Sequence, residues 1–423
     1  MVASTDIKFY VHTNTNAPQL TNSFGCMIDV LDACLVNGYG SQTVSTLTAS
    51  GTTVTATFGS DHNFKQYQVI KITGANQAEY NVEARILTVP DATTITFELA
   101  ALPSVDSATG TINASLPSLD WEKPFSSTSA TGGKGAYRSK NTLLPSRPFL
   151  RVVDELDPAY TETYAKYAKV GIVEDMTDID TMLGVQAPYD SENIDKNWVG
   201  TGSGTDVING WAKWYYARSN DWQVDANADT LSIVAGVRNW ILVGNQDCFY
   251  IFINPTTNRN YKFPYGFGTF KNYLSSDMYP NYLAATLDYS SANAVTNKAT
   301  LTCLASTVSQ TLLLQRNSVN DATPQITANL ISLFNKQTVC YSGSVDYLAS
   351  YSLAGGRIFA PVIVLENGNL PRGQLSLINW LMQAKYDGVD NIFSDGGRGY
   401  FLISVTCAQG NNGAVILDLG GLI

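Results

Sequence analysis

Residues 52–99 read TTVTATFGSDHNFKQYQVIKITGANQAEYNVEARILTVPDATTITFEL, and the rest of the chain is organised around this stretch. Val54, Ala56 and Phe58 alternate with threonines, and Ile95, Phe97 and Leu99 alternate with Thr94, Thr96 and Glu98. A period of two puts one face in a core and the other in water. Gly59, His62–Asn63, Gly74–Ala75 and Pro90–Asp91 supply the turns between the runs. Four strands are expected, over 52–58, 67–75, 82–89 and 93–99, forming one small β module.

His62, Phe64, Val69, Ile72, Gly74, Ala75, Tyr80, Asn81 and the run at 93–99 give this stretch a second meaning. Their order resembles a β module inserted repeatedly into bacteriophage virion proteins. That module usually has a glycine after the histidine, where this chain has Asn63. GYGS (38–41), WEKPF (121–125), AYRS (136–139), FLRVVD (149–154) and YAKVGIVEDMTDIDT (167–181) extend the likeness. RNWILVGNQDCFYIFIN (238–254), FGTFKNYLSSDMYPNYLAA (267–285), LPRGQL (370–375), GRGYFLISV (397–405) and AVILDLGG (414–421) follow in order. This order resembles a family of phage virion structural proteins from tail gene clusters, whose members carry fewer residues near 185–204. The resemblance implies a tail, baseplate or neck subunit without enzymatic activity. It also implies homo-oligomeric assembly with other virion proteins, in a particle made in the host bacterial cytoplasm. Two alternatives stay open: a capsid-decoration or fibre-associated protein that binds host-surface polysaccharide, and a glycan depolymerase.

Composition sets the bounds. The 423 residues suffice for two or three domains, and charged residues make up 15% against 44% hydrophobic. With 23 Tyr, 16 Phe and 7 Trp, the chain favours β structure and protein–protein burial. The net charge of −10 and the lack of any Lys/Arg run exclude the footprint of a sequence-specific nucleic-acid binder. No stretch approaches the ~20 apolar residues of a membrane span, and no signal peptide is evident. Cys26, Cys34, Cys248, Cys303, Cys340 and Cys407 lack CxxC spacing and are expected as buried free thiols.

In chain order, IKFYV (7–11) is expected as a first strand. A helix over 23–36 follows, capped by Asn22 or Ser23 and ended at Gly38, with Met27, Ile28, Val30, Leu31, Cys34 and Leu35 on one buried face. Asp29 and Asp32 fall on its solvent side. Small polar residues at the end of that helix and at 107–114 read as linkers around the module. The division is therefore 1–42 (N-terminal strand and helix of the host domain), 43–115 (inserted module) and 116–423 (β-rich host). A further break is expected near 190–230 or 290–320. The host reads as short strands with sandwich- or barrel-like packing, including a hairpin about Gly244–Asn245. Two helices are also expected, over 323–334 (Ile326, Leu330, Ile331, Phe334) and 375–384 (Ile378, Leu381, Met382). The fold class is thus mainly β, with one N-terminal helix and an inserted four-stranded module.

Several clusters invite a chemical reading, and each has a plainer one. Glu174, Asp175, Asp178 and Asp180 could hold Ca²⁺ or act as glycosidase acids, but the EF-hand glycine and terminal glutamate are missing. Asp190–Asn193 and Asp225–Asp229 read the same way, as solvated turns. GTGSGT (200–205) lacks the GK[ST] of a phosphate cradle. Two histidines, His12 and His62, give little scope for acid–base chemistry. The aromatic runs at 211–222 and 260–270 could stack sugars, and read better as strand core and subunit interface. No catalytic, cofactor-binding or metal residue is assigned.

Overall fold

The computed structural model describes residues 2–202, 210–219, 231–257, 262–287, 303–304, 312–321, 327–332, 357–366, 370–381, 389–406 and 412–422. The fold is mainly β, built from antiparallel sheets with one short α-helix among the described residues, as the alternating sequence requires.

The first sheet has seven strands rather than four. Its order is Glu83–Arg85, Val69–Ala75, Gly110–Leu116, Tyr39–Ser50, Thr53–Phe58, Thr94–Glu98 and Thr88–Asp91. The 82–89 run divides into two strands, and both presumed linkers are strands. In Tyr39–Ser50 only Gly40, Val44 and Leu47 are buried, so serines and threonines dilute the apolar period. Val54 pairs with Phe97 and Ala56 with Ile95 on the buried face, while Thr55 opposes Thr96 on the other. The edge strands Glu83–Arg85 and Thr88–Asp91 are consecutive in the chain. Arg85 and Thr88 are three Cα steps apart, at most ~11 Å. The two edges of the sheet therefore meet, and the sheet rolls into a small barrel around Ile70, Ile72, Ile95 and Phe97, all fully buried.

The barrel begins and ends at one place, since Tyr39 pairs with Leu116. Just outside this neck, the Leu119 amide donates to Cys34 O at 2.9 Å and the Tyr10 hydroxyl donates to Pro117 O at 2.5 Å. Arg85, 1% exposed, reaches from the barrel to the N-terminal segment and donates to the carbonyls of Ser4 and Ile7.

The helix is shorter than its periodicity suggests. An α-helical segment, Cys26–Leu31, runs into a π-helical turn, Asp32–Asn37, that ends at Gly38 with φ 70°. Neither Asn22 nor Ser23 caps it. Gly25 occupies the N-cap at φ 92° without a capping side chain of its own, and Asp154 Oδ2 accepts from the Gly25 and Met27 amides, both at 2.9 Å. Met27, Val30, Leu31, Cys34 and Leu35 are fully buried within this one chain. Asp32 does not point to open solvent; it accepts from Lys123 Nζ at 2.6 Å and the Tyr137 hydroxyl at 2.7 Å.

The helix packs on a second sheet, ordered Thr286–Leu287, Ala212–Ala217, Lys166–Met176, Phe149–Glu155, Gly132–Ser139 and Trp121–Ser129. A third sheet, of thirteen strands among the described residues, runs from Lys8–Val11 at one edge to Asn391–Asp395 at the other and curls into a half-barrel. Phe9 on its first strand meets Phe401 near its far end, ring centroids 5.2 Å apart, so the sheet folds over its own core. The expected hairpin is present, with Trp240–Gly244 paired to Cys248–Ile253 and the Asn245 side chain accepting from the Asp247 and Cys248 amides.

Both later helices are replaced by strands, Thr327–Ser332 and Leu370–Leu381. Apolar residues at helical spacing there also satisfy a strand: Ala328 and Leu330 are buried while Asn329 is exposed. Residues 322–326, 333–340 and 382–388 lie outside the described residues. Cys26, Cys34, Cys248 and Cys303 are buried free thiols; Cys340 and Cys407 lie outside the described residues. Among the described residues no helix is long and apolar enough to cross a membrane.

Truncating the helix stripe tests its intrachain burial. Leu31→Ala is expected to cost ~2–5 kcal/mol in the monomer, read by chemical denaturation. An unchanged midpoint would mean that the stripe is not part of the core.

Asp154 gives a second test. Burial pushes its carboxyl up to about 6, against the pull of the bonds from Tyr216, Met27 and Gly25. A folded value above the unfolded one means that the native state binds the extra proton, so this group adds stability as pH falls through 6. Between pH 7 and 4.5 the wild type should gain about 2 kcal/mol relative to Asp154→Asn. Parallel melting curves for the two proteins across that range would refute the shift.

Candidate functional site

The carboxylates of residues 174–180 do not converge on a shared ligand. Glu174 takes Arg316 in a two-pronged bond, 2.6 and 2.8 Å from Nη2. Asp178 caps its own turn, accepting from the Asp180 and Thr181 amides at 2.9 Å. Asp180 binds Arg151 at 2.6 Å and Lys134 at 2.9 Å. Partial burial pulls the Asp180 carboxyl upward, yet these cations outweigh it and hold the group below the usual carboxylate range. Among the described residues no cluster of three His, Cys, Asp or Glu side chains could hold a metal ion.

The other candidates also resolve into local structure. Asp190 accepts from the Glu192 amide at 2.9 Å, while residues 225–229 lie outside the described residues. In the glycine-rich run, the Gly200 amide donates to Asp157 Oδ2 at 2.6 Å, and 203–205 lie outside the described residues. Asp157 and Lys169 form a buried pair at 3.1 Å, closed by the Trp198 carbonyl. His62 is buried between Phe58 and Phe64, and its Nδ1 accepts from the Phe64 amide at 2.9 Å. Burial lowers the pKa of both His62 and His12, and no described hydrogen bond joins either ring to a serine or a carboxylate. Trp211, Trp214, Tyr215 and Tyr216 are buried, as are Phe263, Tyr265, Phe267 and Phe270. These rings form core and offer no open stacking platform; Trp222 lies outside the described residues.

Two features were not legible in any motif. The first is a chain of ion pairs beneath one loop cluster. Arg372 grips Asp277 through two bonds, 2.7 and 3.0 Å, and reaches Glu366 at 3.2 Å. All three side chains are at most 3% exposed. Arg372 also donates to the carbonyls of Arg316 and Tyr279, and the Arg316 guanidinium lies over the Tyr279 ring at 4.5 Å. Glu174 belongs to the second sheet and Arg372 to the third, so the chain of pairs ties the two sheets together. Above it sit exposed apolar side chains: Tyr273, Leu274, Met278, Val319 and Leu370.

The second feature is a polar cleft at the barrel neck, with two adjoining lobes of about 660 and 430 Å³. Lys8, Glu83, Asp120 and Gln246 belong to both lobes. Lys8 Nζ lies 3.0 Å from Glu83 and donates to Ser118 O at 3.0 Å. Asp120, at φ 61°, accepts from Lys140 at 2.8 Å and Gln246 at 3.1 Å. These four residues come from four separate segments, and no spacing in the sequence announces them.

No protein-family model and no curated protein matches the chain. Among solved structures it is similar to a phage phi92 endosialidase, with 11% identity, over 90% of this chain and 52% of that one, at a TM-score of 0.16. The chain therefore spans about half the length of that protein. A likeness at this level transfers neither fold nor residue roles. It does bear on one expectation: the neighbour is an enzyme, so the expected absence of enzymatic activity is corrected here and is not carried forward.

The buried ion pairs make a direct prediction. Arg372→Met leaves Asp277 and Glu366 buried without their cation, and should cost ~3–5 kcal/mol by denaturant titration. A loss below about 1 kcal/mol would show that water reaches these carboxylates.

Proposed function

We propose that this chain is a subunit of a bacteriophage particle, in the tail, baseplate or neck, that works by repeated contact with copies of itself and with neighbouring virion proteins. The ordered motifs from residue 38 to residue 421 support the phage assignment. The single observation that carries the assembly reading is the exposed apolar loop cluster above Arg372.

Val319 is 70% exposed and Leu370 58%, with Tyr273, Leu274 and Met278 between 45 and 48%. They share one neighbourhood. Leu370 pairs with Glu366, and the Glu366 carboxylate accepts from the amide of Ser318, next to Val319. The Met278 amide donates to Asn320 at 3.5 Å, and the Tyr273 amide to Arg372 O at 2.8 Å. Grouped exposed apolar side chains mark contact surfaces, whereas single ones do not. Here the loops are rigid because their turns are bolted to buried charges. The charges beneath them are paired with one another, Arg316 with Glu174 and Arg372 with both Asp277 and Glu366, so most of the charge under the patch is neutralised. An apolar patch on loops held in place loses little entropy on docking. The occupant is another copy of this chain; virion localisation goes with the phage reading and not with the patch.

The test is association of the full chain. Val319→Asp combined with Leu370→Asp should reduce the self-associated fraction in sedimentation at least about tenfold, since each places a charge in an apolar contact. The melting temperature should stay within a few degrees of wild type, because both positions are exposed. Unchanged association in the double variant would remove the patch from the interface.

A further inference from the structure

We infer that the two-lobed cleft at the barrel neck binds a neutral saccharide, gripping its hydroxyls with carboxylate and carboxamide side chains. This proposal is independent of the assembly reading, because it rests on different residues at a different place in the fold.

The size is right for a small ligand. Each lobe falls within the range of ~300–1,000 Å³ over which ligand pockets occur. The walls are firm. One is the paired barrel strands Tyr39–Ser50 and Gly110–Leu116, and another is the hairpin turn that follows Gly244. Firm walls matter because polar contacts add affinity only where the groups making them are already held in place.

The lining selects the chemistry by exclusion. In the lobe next to Asp6, four carboxylates (Asp6, Glu83, Asp120 and Asp247) face one ammonium, Lys8. Lys8 is already engaged by Glu83 and by Ser118 O. In that lobe a phosphate, a sulfate or an acidic sugar would meet net negative charge, with Lys8 already engaged and Lys140 spent on Asp120, so anionic ligands are disfavoured there. An apolar ligand fares no better. Leu116 and Leu119 are each 1% exposed, so the lining offers little apolar surface. The absence of a metal-holding cluster among the described residues argues against a cation as the ligand.

A polyhydroxylated neutral molecule fits what remains. Each sugar hydroxyl both donates and accepts, and it is best met by side chains that supply the two functions side by side. Asp120 and Gln246 stand in that relation, held together by their own 3.1 Å bond. Asn141 and Asp247 form a second such couple at 2.8 Å. In both couples one oxygen is spent on the partner: Asp120 Oδ2 accepts from Gln246, and Asp247 Oδ1 accepts from Asn141. No described hydrogen bond uses Gln246 Oε1 or Asp247 Oδ2, which leaves each couple acceptor capacity for a ligand hydroxyl. In the other lobe, Ser41 and exposed Lys71 add donors.

The experiment uses the full chain and a panel of defined oligosaccharides, neutral (hexose and N-acetylhexosamine) and acidic (uronate and sialate). Binding is read by ligand-observed NMR and calorimetry. Wild type should bind at least one neutral member in the submillimolar to millimolar range and none of the acidic ones. Gln246→Ala and Asp120→Asn should each weaken that binding by about tenfold, the usual effect of losing one hydrogen bond to a charged or well-held partner. Gln246 is exposed, so its variant should melt as wild type does. Binding to no neutral sugar, binding to acidic sugars alone, or neutral binding that survives both substitutions would each overturn the proposal.

Discussion

One buried carboxylate holds three parts of this fold together. Asp154 is fully buried on the strand Phe149–Glu155, accepts two amides at the start of the helix, and accepts the Tyr216 hydroxyl at 2.6 Å. A lone buried carboxylate is costly, and only bonds directed at its oxygens make it tolerable. Here those bonds come from a helix N-terminus, where backbone amides are otherwise unpaired. The helix needs the carboxylate because Gly25 cannot cap it with a side chain, and the carboxylate needs the helix because, among the described residues, no hydrogen bond joins it to a cation. Each solves the other's problem. The result fixes where the helix starts and how it meets the second sheet, and the barrel is entered directly from the end of that helix.

Much of the β character was legible because a period of two survives wherever apolar side chains are dense. Val54 through Phe58 and Thr94 through Glu98 are read correctly for that reason. The same rule failed in Tyr39–Ser50, where Val44 and Leu47 are too widely spaced among serines and threonines to declare a strand. For the helices expected over 323–334 and 375–384 the failure runs the other way, in the described parts that form Thr327–Ser332 and Leu370–Leu381. A short apolar run fits 3.6 and 2 equally well, and only the partner strand decides. Leu377 sits at φ 67° within Leu370–Leu381, an irregularity that blurs the alternation further. The helix was found from its stripe but its start was misplaced, since the capping group lies 129 residues away. The cleft was invisible for the same reason: Lys8, Glu83, Asp120 and Gln246 share a place and no sequence neighbourhood.

The scarcity of charge in the composition has a structural counterpart. Arg85, Arg151, Arg218, Arg238 and Arg372 are all at most 3% exposed. Charge that a chain of this size would normally spend on solubility is used inside, against backbone carbonyls in Arg85 and against carboxylates in Arg372. The acidic clusters that suggested metal or glycosidase chemistry are the other half of that arrangement: Glu174 and Asp180 are the counter-ions of Arg316 and Arg151. Their grouping in sequence reflects where the second sheet needs anchoring.

The neck of the barrel has a mechanical consequence. Because Tyr39 and Leu116 are paired neighbours, tension along the backbone enters and leaves the barrel at almost one point. The closures at Cys34–Leu119 and Tyr10–Pro117 lie outside that point and bear the load first. While they hold, the barrel hangs beside the force path and feels no pull. In a body that must transmit strain from one end to the other, such a side-hung unit can keep its shape, and any pocket at its base can keep its geometry, while the frame around it is stretched.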